Sequence, residues 1–373
     1  MGDLLDGIRV VEIGQYIPAP FAGLALADLG ADVVKIEPPA GDPMRGFGAL
    51  GPDGVSAAYA ALNGGKRVVR VDLKATGGRT QAQALIAGAD VLLESFRPGV
   101  LARLGLGREV LEGLNPRLVH CALSGFGQNG PLARTAAHDL NYMAAGGGLV
   151  RSGTTERPVM SRPPVADYAS AQQAALSIAA ALFRRERTGR GCFIDIAMTD
   201  VALSWQAADL AEAVLASPLA TRGAHLVGGG AASYNIYPAA CGGFVTLAAL
   251  EPAFWRNFCA AVGRPDLVDR QDEPLPQTAL IEELAALFAS RTAAVWEEEL
   301  GGIDCCFQRV LDAADVLDFP QFRARELIDR DEAGAVSVRY PAWIDGAPAA
   351  SRRPPRRETG LAEALAAWTA PAR

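Results

Sequence analysis

Apolar positions in the first third of the chain fall into short blocks whose spacing alternates between two periods. Residues 8–13, I-R-V-V-E-I, form an apolar run ending at Gly14 and predict a buried strand. P-A-P-F-A-G-L-A-L-A-D-L-G then predicts a helix of about three turns, with proline near its start and Gly30 at its end. Further strands are expected at 31–37 (A-D-V-V-K-I-E), 67–73 (R-V-V-R-V-D-L), 89–96 (A-D-V-L-L-E-S-F) and 117–127 (R-L-V-H-C-A-L-S-G-F-G). Helices from about Arg79 to Ala87 and near 99–113 fall between them. Such a succession predicts parallel βαβ units and an α/β, Rossmann-like sheet. The first turn, G-Q-Y-I-P-A-P, lacks G-x-G-x-x-G, which argues against a nicotinamide or flavin dinucleotide.

Farther along, an apolar helix is expected over 170–184, then the charged turn R-R-E-R-T-G-R-G, the strand C-F-I-D-I-A-M and a helical run over 199–216. G-G-G-A-A-S-Y-N-I-Y (228–237), the strand and helix within 241–255, and amphipathic helices around 279–289 and 292–300 predict a smaller α/β domain. Residues 326–373 carry a strand-like V-S-V-R-Y and a helical L-A-E-A-L-A-A-W, with too little apolar mass for a core of their own. At 373 residues the chain exceeds one ordinary core. The expected organisation is therefore a large domain begun by 1–190, a connecting helix over 191–224, a small domain over 225–325, and 326–373 returning to the large domain.

Charge and cysteine content narrow the function classes. The net charge of −7, from 35 basic and 42 acidic residues, does not suit non-specific nucleic-acid binding, though a local basic patch can still hold a phosphorylated ligand. Six cysteines without C-x-x-C spacing read as small core residues in a reducing compartment, with no metal site expected. The acidic opening M-G-D-L-L-D-G is unlike a signal peptide and no apolar run reaches membrane-spanning length, so cytoplasm and no membrane partner are expected.

Polar residues capable of chemistry concentrate in Thr135–Tyr168. T-A-A-H-D-L-N-Y supplies His138, Asp139, Asn141 and Tyr142, and P-P-V-A-D-Y-A-S places Asp167 just ahead of the helix expected from Ser170. A histidine and an aspartate facing one small substrate can move a proton. The same residues also suit plainer roles, His138 and Asp139 as helix caps and Asp167 as a turn residue. A parallel sheet gathers ligand groups at its strands' C-terminal ends, where Lys35, Lys74, Arg97 and Arg103 lie in sequence.

Several longer motifs are similar to those of the class III coenzyme A transferases, the group that also holds the α-methylacyl-CoA racemases. They are L-x-G-I-R-V-V-E-I-G, A-D-L-G-A-D-V-V-K-I-E-P-P-x-G-D-P-M-R, N-G-G-K-R-V-V-R-V-D-L-K, S-F-R-P-G-V-L-A-R-L-G-L-G, S-G-F-G-Q-N-G-P and D-C-C-F-Q-R-V-L-D-A-A-D-V, spread over nearly the whole chain. The resemblance implies two domains in an interlocked homodimer, with the acyl-CoA site between the large domain of one subunit and the small domain of the other. It implies acyl-CoA as substrate, with coenzyme A part of that substrate and no permanent cofactor. Asp167 matches the transferases' acyl-accepting aspartate. His138, in A-H-D-L-N-Y, matches the racemases' G-H-D-x-N-Y apart from the leading alanine, and Glu251 in L-E-P matches their I-E-P glutamate. Racemisation would then use His138 and Asp167 as bases on opposite faces of the α-carbon, with Glu251 steadying His138 and the backbone around Asp139 steadying the enolate oxygen. The coenzyme contacts implied are Gln15, Lys35, Val71, Lys74, Ser95, Phe96, Arg97 and Arg103. Pro38 stands where some relatives carry an adenine-binding arginine, leaving Lys35 or Arg45 for that end. Tyr16, Tyr142 and Tyr237 are further candidates for the pocket wall. The long Pro38–Ala60 connection and the glycines at 228–230 are closer to transferases, so acyl transfer is the alternative to 2-methylacyl-CoA racemisation in lipid metabolism.

Overall fold

The computed structural model describes residues 4–215, 221–330, 334–349 and 356–369; the opening M-G-D and the end of the 199–216 run lie outside them. Two compact units emerge. One holds the described residues of Met1–Gly146, Arg162–Trp205 and Pro320–Arg373, the other those of Gly147–Ser161 and Gln206–Phe319. The second unit thus takes in residues 147–161, 206–215 and 221–224, which differs from the boundaries expected above. Among the described residues no single helix runs through the 199–216 stretch. The run breaks near Trp205 into Met198–Ser204 and Ala207–Leu215.

In the first unit, strands β1 (Arg9–Ile13), β2 (Asp32–Glu37), β3 (Arg67–Arg70), β4 (Val91–Glu94), β5 (Val119–Ser124) and β6 (Cys192–Ala197) join a two-residue strand, Arg357–Glu358. From that short strand the sheet order runs β3-β2-β1-β4-β5-β6, and every pairing is parallel. The strands are nearly continuous apolar runs because helices cover both faces. Helices α1 (Pro18–Asp28), α2 (Ala57–Asn63), α3 (Thr76–Ala87), α4 (Val100–Arg103), α5 (Arg108–Leu114), α6 (Asp139–Ala145), α7 (Val165–Thr188) and α8 (Met198–Ser204) supply those layers. On one face Ile13, Ile36, Val69 and Leu92 pack with Leu85 and Ile86 of α3, Leu111 of α5, and Ala364 and Trp368. Helices α1 and α7 pack on each other and against the sheet.

The expected helix near 99–113 is two helices, because Gly105 takes φ 76° and turns the chain between α4 and α5. Helix α7 starts at Val165, five residues earlier than expected from Ser170, so Asp167 lies inside its first turn. Pro164 occupies the N-cap, and its own fixed φ leads directly into the helix. The return of the chain after residue 326 is seen in Arg357 and Glu358 pairing with Arg67 and Val68, and in Trp368 donating to Asp32 at 2.9 Å.

The second unit is built on an antiparallel sheet of Tyr234–Pro238, Phe244–Ala248 and Phe307–Arg309. Its core stacks Tyr237, Phe258 and Phe288, with Trp255 and Trp296 alongside. Tyr237 is therefore a core residue of this unit, with its hydroxyl donating to Ala232 O at 2.6 Å, and is not a pocket-wall tyrosine. The cysteines are all free, but Cys241 and Cys306 are exposed and so are not core residues. Both sit at positive φ, a setting composition alone does not reveal.

Candidate active site

A cavity of about 480 Å³ opens at the C-terminal ends of β1 to β5. Its wall takes Ile13–Tyr16 after β1, Ile36 and Pro38 from β2, Val71–Lys74 after β3, Ser95–Pro98 after β4 and Ser124–Phe126 after β5. His138 and Tyr142 of the α6 region, Asp167 of α7 and Met198 complete the polar end. Parallel strands place these loops side by side, so residues from distant stretches of chain share one wall.

The first loop is the most constrained. A Cβ on Gly14 would lie 2.3 Å from the Ala19 Cβ, so only glycine lets α1 start so close to the sheet. Tyr16 follows at φ 61°, an uncommon conformation for a bulky residue. Beneath this loop Lys35 is fully buried. It donates to Gly14 O at 2.8 Å and Glu12 Oε1 at 2.9 Å, and pairs with Asp42 Oδ2 at 3.1 Å. Asp42 in turn accepts from the Tyr16 N–H at 3.4 Å. The second oxygen of Glu12 takes Lys66 at 2.7 Å, and Lys66 also donates to Pro20 O and Asn63 Oδ1. Burial pulls the Lys35 ammonium down, but Glu12 and Asp42 outweigh it and hold it above the usual lysine value. Lys66, whose burial is opposed only by one shared carboxylate and Asp42 and is reinforced by the Lys35 charge, falls to about 8.

His138 is the N-cap residue of α6, and its backbone N–H donates to Asn141 Oδ1 at 3.1 Å. Its ring is exposed and meets Tyr16 edge-on, with centroids 6.2 Å apart at 85°. Asp139 accepts the N–H of Asp167 at 3.1 Å, so one carboxylate satisfies a free donor in the first turn of α7 and ties the two helix starts together. The Asp167 carboxyl is pushed up to about 7, first by burial and then by the Asp139 charge. Tyr142 donates to Ala137 O at 2.7 Å and presses on Gly125, where a Cβ would come within 2.5 Å of its ring. Burial and the nearby Asp167 charge hold its phenol above the usual value.

The cavity thus brings together His138, Asp167, Gln15, Val71, Lys74, Ser95, Phe96 and Arg97, with Tyr16 and Tyr142. Asp139 stands just behind, through its bond to the Asp167 backbone. Lys35 drops out as a ligand contact, since it is fully buried, donates to Glu12 and Gly14 and is ion-paired with Asp42. Arg45 is similarly engaged by Glu37 and Glu358 at 2.7 Å each. Arg103 is exposed at the end of α4 and is not in the cavity wall. Glu251 belongs to the second unit, where it is the exposed N-cap residue of the helix Pro252–Ala261. The role of Asp42 as a support went unread. Its signal was D-P-M-R, an aspartate before proline that caps a short 3₁₀ turn by accepting from Met44 N–H at 2.9 Å. Among the described residues no group of three or more His, Cys, Asp or Glu side chains is placed to hold a metal ion.

A near-neutral carboxyl and an imidazole lining one cavity, at the C-terminal edge of a parallel sheet, define an α/β enzyme site equipped for acid–base or acyl-transfer chemistry. The profile of CoA-transferase family III matches residues 5–359, and the chain belongs to that family. It is 34% identical over 348 residues to the alpha-methylacyl-CoA racemase of Homo sapiens, covering 92% of this chain and 87% of that protein. It is 32% identical to a succinyl-CoA–D-citramalate CoA-transferase of Chloroflexus aurantiacus, over 87% of this chain and 82% of that one. A crystal structure of a CAIB/BAIF family protein from Brucella suis superposes with a TM-score of 0.86 at 28% identity, over 98% of this chain and 99% of that chain. The family is enzymatic, its members act on CoA thioesters, and the relatives include both racemases and CoA-transferases.

Proposed function

We propose that this chain racemises 2-methylacyl-CoA thioesters by two-base α-proton transfer. The observation that carries the reading is that His138 and Asp167 line the same cavity while Asp167 stands near neutrality. A group with that value can both take and return a proton at physiological pH. In one direction Asp167 removes the α-proton as the C–H pair moves into the thioester to form the enolate. Protonated His138 then delivers a proton to the opposite face. In the other direction the two exchange roles. The N–H groups at the start of α6, around Asp139, support the enolate oxygen. Lys74 and Arg97 hold the coenzyme's phosphates, and no permanent cofactor takes part. The active form is an intertwined homodimer in which Glu251 of a second copy steadies His138. Sedimentation that finds active monomer would remove both the dimer and that role of Glu251.

The second reading is CoA transfer to a carboxylic acid through an Asp167 acyl anhydride, favoured by the 32% identity to a CoA-transferase and by the same cavity-lining carboxyl. One experiment separates the two. The protein is incubated with each enantiomer of a 2-methylacyl-CoA in heavy water, with and without a free carboxylate. Racemisation predicts that His138→Ala retains deuterium exchange from one enantiomer while interconversion falls about 10²–10⁴-fold. Asp167→Asn gives the mirror-image result. If wild type instead moves CoA to the carboxylate, and His138→Ala does so at nearly the same rate, the racemase reading is wrong.

A further inference from the structure

A second cavity, of about 550 Å³, lies at the opposite edge of the parallel sheet, where β5 and β6 begin. It is enclosed by α5, the turn at Asn115–Leu118, the end of α7 and the starts of the two strands. His120 is its most enclosed polar side chain, only 8% exposed, and neither ring nitrogen has a hydrogen-bond partner. The nearest carboxylate is Glu94, at 3.8 Å from Nε2, which is beyond hydrogen-bonding distance. Phe193 meets the imidazole edge-on with centroids 4.9 Å apart, and the Arg108 guanidinium lies over the Phe193 ring, 5.2 Å from its centroid. An imidazole left without partners in a lined, roomy space is costly unless something fills the space and bonds to it.

The charges around this histidine are lopsided. Arg108, Arg184 and Arg190 line the cavity against a single acid, Glu112, which is already paired with Arg108 at 2.7 Å. Among the described residues no acidic side chain pairs with Arg184 or Arg190, and the two are brought together because α7 turns at Gly189 straight into β6. Gly191 makes that turn possible: a Cβ there would lie 1.9 Å from Leu118 O. Arginine forks recognise phosphate and carboxylate oxygens in the plane, and a cavity of this size suits a small organic ligand.

We propose that this cavity is a second ligand site, taking a small organic anion that carries phosphate or carboxylate groups, with Arg184 and Arg190 as anion contacts and His120 as the enclosed hydrogen-bond donor. It uses none of the residues assigned above to the acyl-CoA site and stands whether that site racemises or transfers. The ligand's charge meets the arginines at the rim, while one of its oxygens or a bridging hydroxyl reaches the imidazole, which donates from whichever nitrogen carries the proton.

The chain has only three histidines, so ring ¹H–¹⁵N spectra of the uniformly labelled protein resolve each one, with His120→Gln fixing the assignment. Pyrophosphate and propane-1,2,3-tricarboxylate are titrated separately into protein saturated with coenzyme A, which occupies the other cavity. The expected result is a saturable shift of the His120 signals with one or both probes while His138 stays in place. Arg184→Gln/Arg190→Gln should weaken that binding about tenfold or more and leave His120 in its original environment without ligand. A response from one probe alone tells phosphate from carboxylate chemistry. If His120 does not move with either probe, if only His138 moves, or if the arginine variant binds as tightly as wild type, the second site is refuted.

Discussion

Asp139→Asn removes one negative charge beside Asp167 and little else. Asparagine keeps the side-chain oxygen that accepts the Asp167 N–H, so the two helix starts remain tied. The Asp167 carboxyl stands at about 7, against 3.8 for the ordinary group, and the Asp139 charge is the smaller of the two causes. Its share is therefore under half of the rise, or about one pH unit, which corresponds to about 1.4 kcal/mol. The base form of Asp167 is the ionised one, so lowering its pKa enlarges the active fraction on the acid side. The acid limb of kcat/KM should move from near 7 toward about 6, since that profile follows the free enzyme. At pH 6 the ionised fraction climbs from about one tenth to about half, an expected gain of about fivefold, with little change at pH 8. Exchange rates measured from pH 5 to 9 give the profile, and carbonyl-labelled aspartate spectra follow the carboxyl directly. An acid limb that stays in place, or moves to higher pH, would refute the assignment of the Asp139 charge as a cause.

Asp167→Asn should abolish racemisation yet stabilise the fold. A carboxyl whose folded pKa is raised costs nothing below about pH 4, and its cost grows up to about pH 7. A gain of about 1–3 kcal/mol is expected at pH 8, discounted for partial exposure, and none at pH 4; denaturant unfolding at both pH values checks it. Gly14→Ala forces its methyl against Ala19 and should cost about 1–3 kcal/mol, read in urea unfolding. Lys35→Met strips Glu12 and Asp42 of a buried cation and should cost about 3–5 kcal/mol. At equal coenzyme affinity it should also lower kcat, because Gly14 O and the support of the Tyr16 N–H through Asp42 are lost; a variant as stable as wild type would refute that accounting.

The parallel sheet was legible in the sequence because its signal is local: short apolar runs, closed by glycine or proline or by a polar turn, with helical stretches between them. Asp167 and His138 were legible as candidates because a family motif marked them, but the pKa of Asp167 was not. It depends on how deeply α7 starts in the unit and on Asp139, 28 residues away. Lys35 was misread for a physical reason. In an exposed loop a lysine seeks phosphate, whereas here it stands in mid-strand, directly across from Glu12 in register. Opposite charges at matching places in V-V-E-I and V-V-K-I were the available sign of a buried pair, and only knowledge that β1 and β2 are neighbours converts that sign into a contact. Arg45 was misplaced similarly, since one of its partners, Glu358, arrives from 313 residues further on. The start of α7 was placed late because V-A-D-Y offers no strong periodicity, while the fixed φ of Pro164 was a better guide than the apolar stripe.

The strand at Arg357–Glu358 gives the protein a timetable. Arg67, at the edge of β3, bonds to Ala364, 297 residues later, and Asp32 waits for Trp368 across 336 residues. On a ribosome adding about 5–20 residues per second, β3 is finished about 15–60 s before its outer neighbour exists. Through that interval the nascent sheet carries a bare edge, able to pair with whatever strand comes near. Arginines at both ends of β3, Arg67 and Arg70, give that edge a charge that discourages like partners while it stays open. A chaperone that shields nascent edges should therefore engage this protein once β3 has emerged, and let go only once Trp368 has docked.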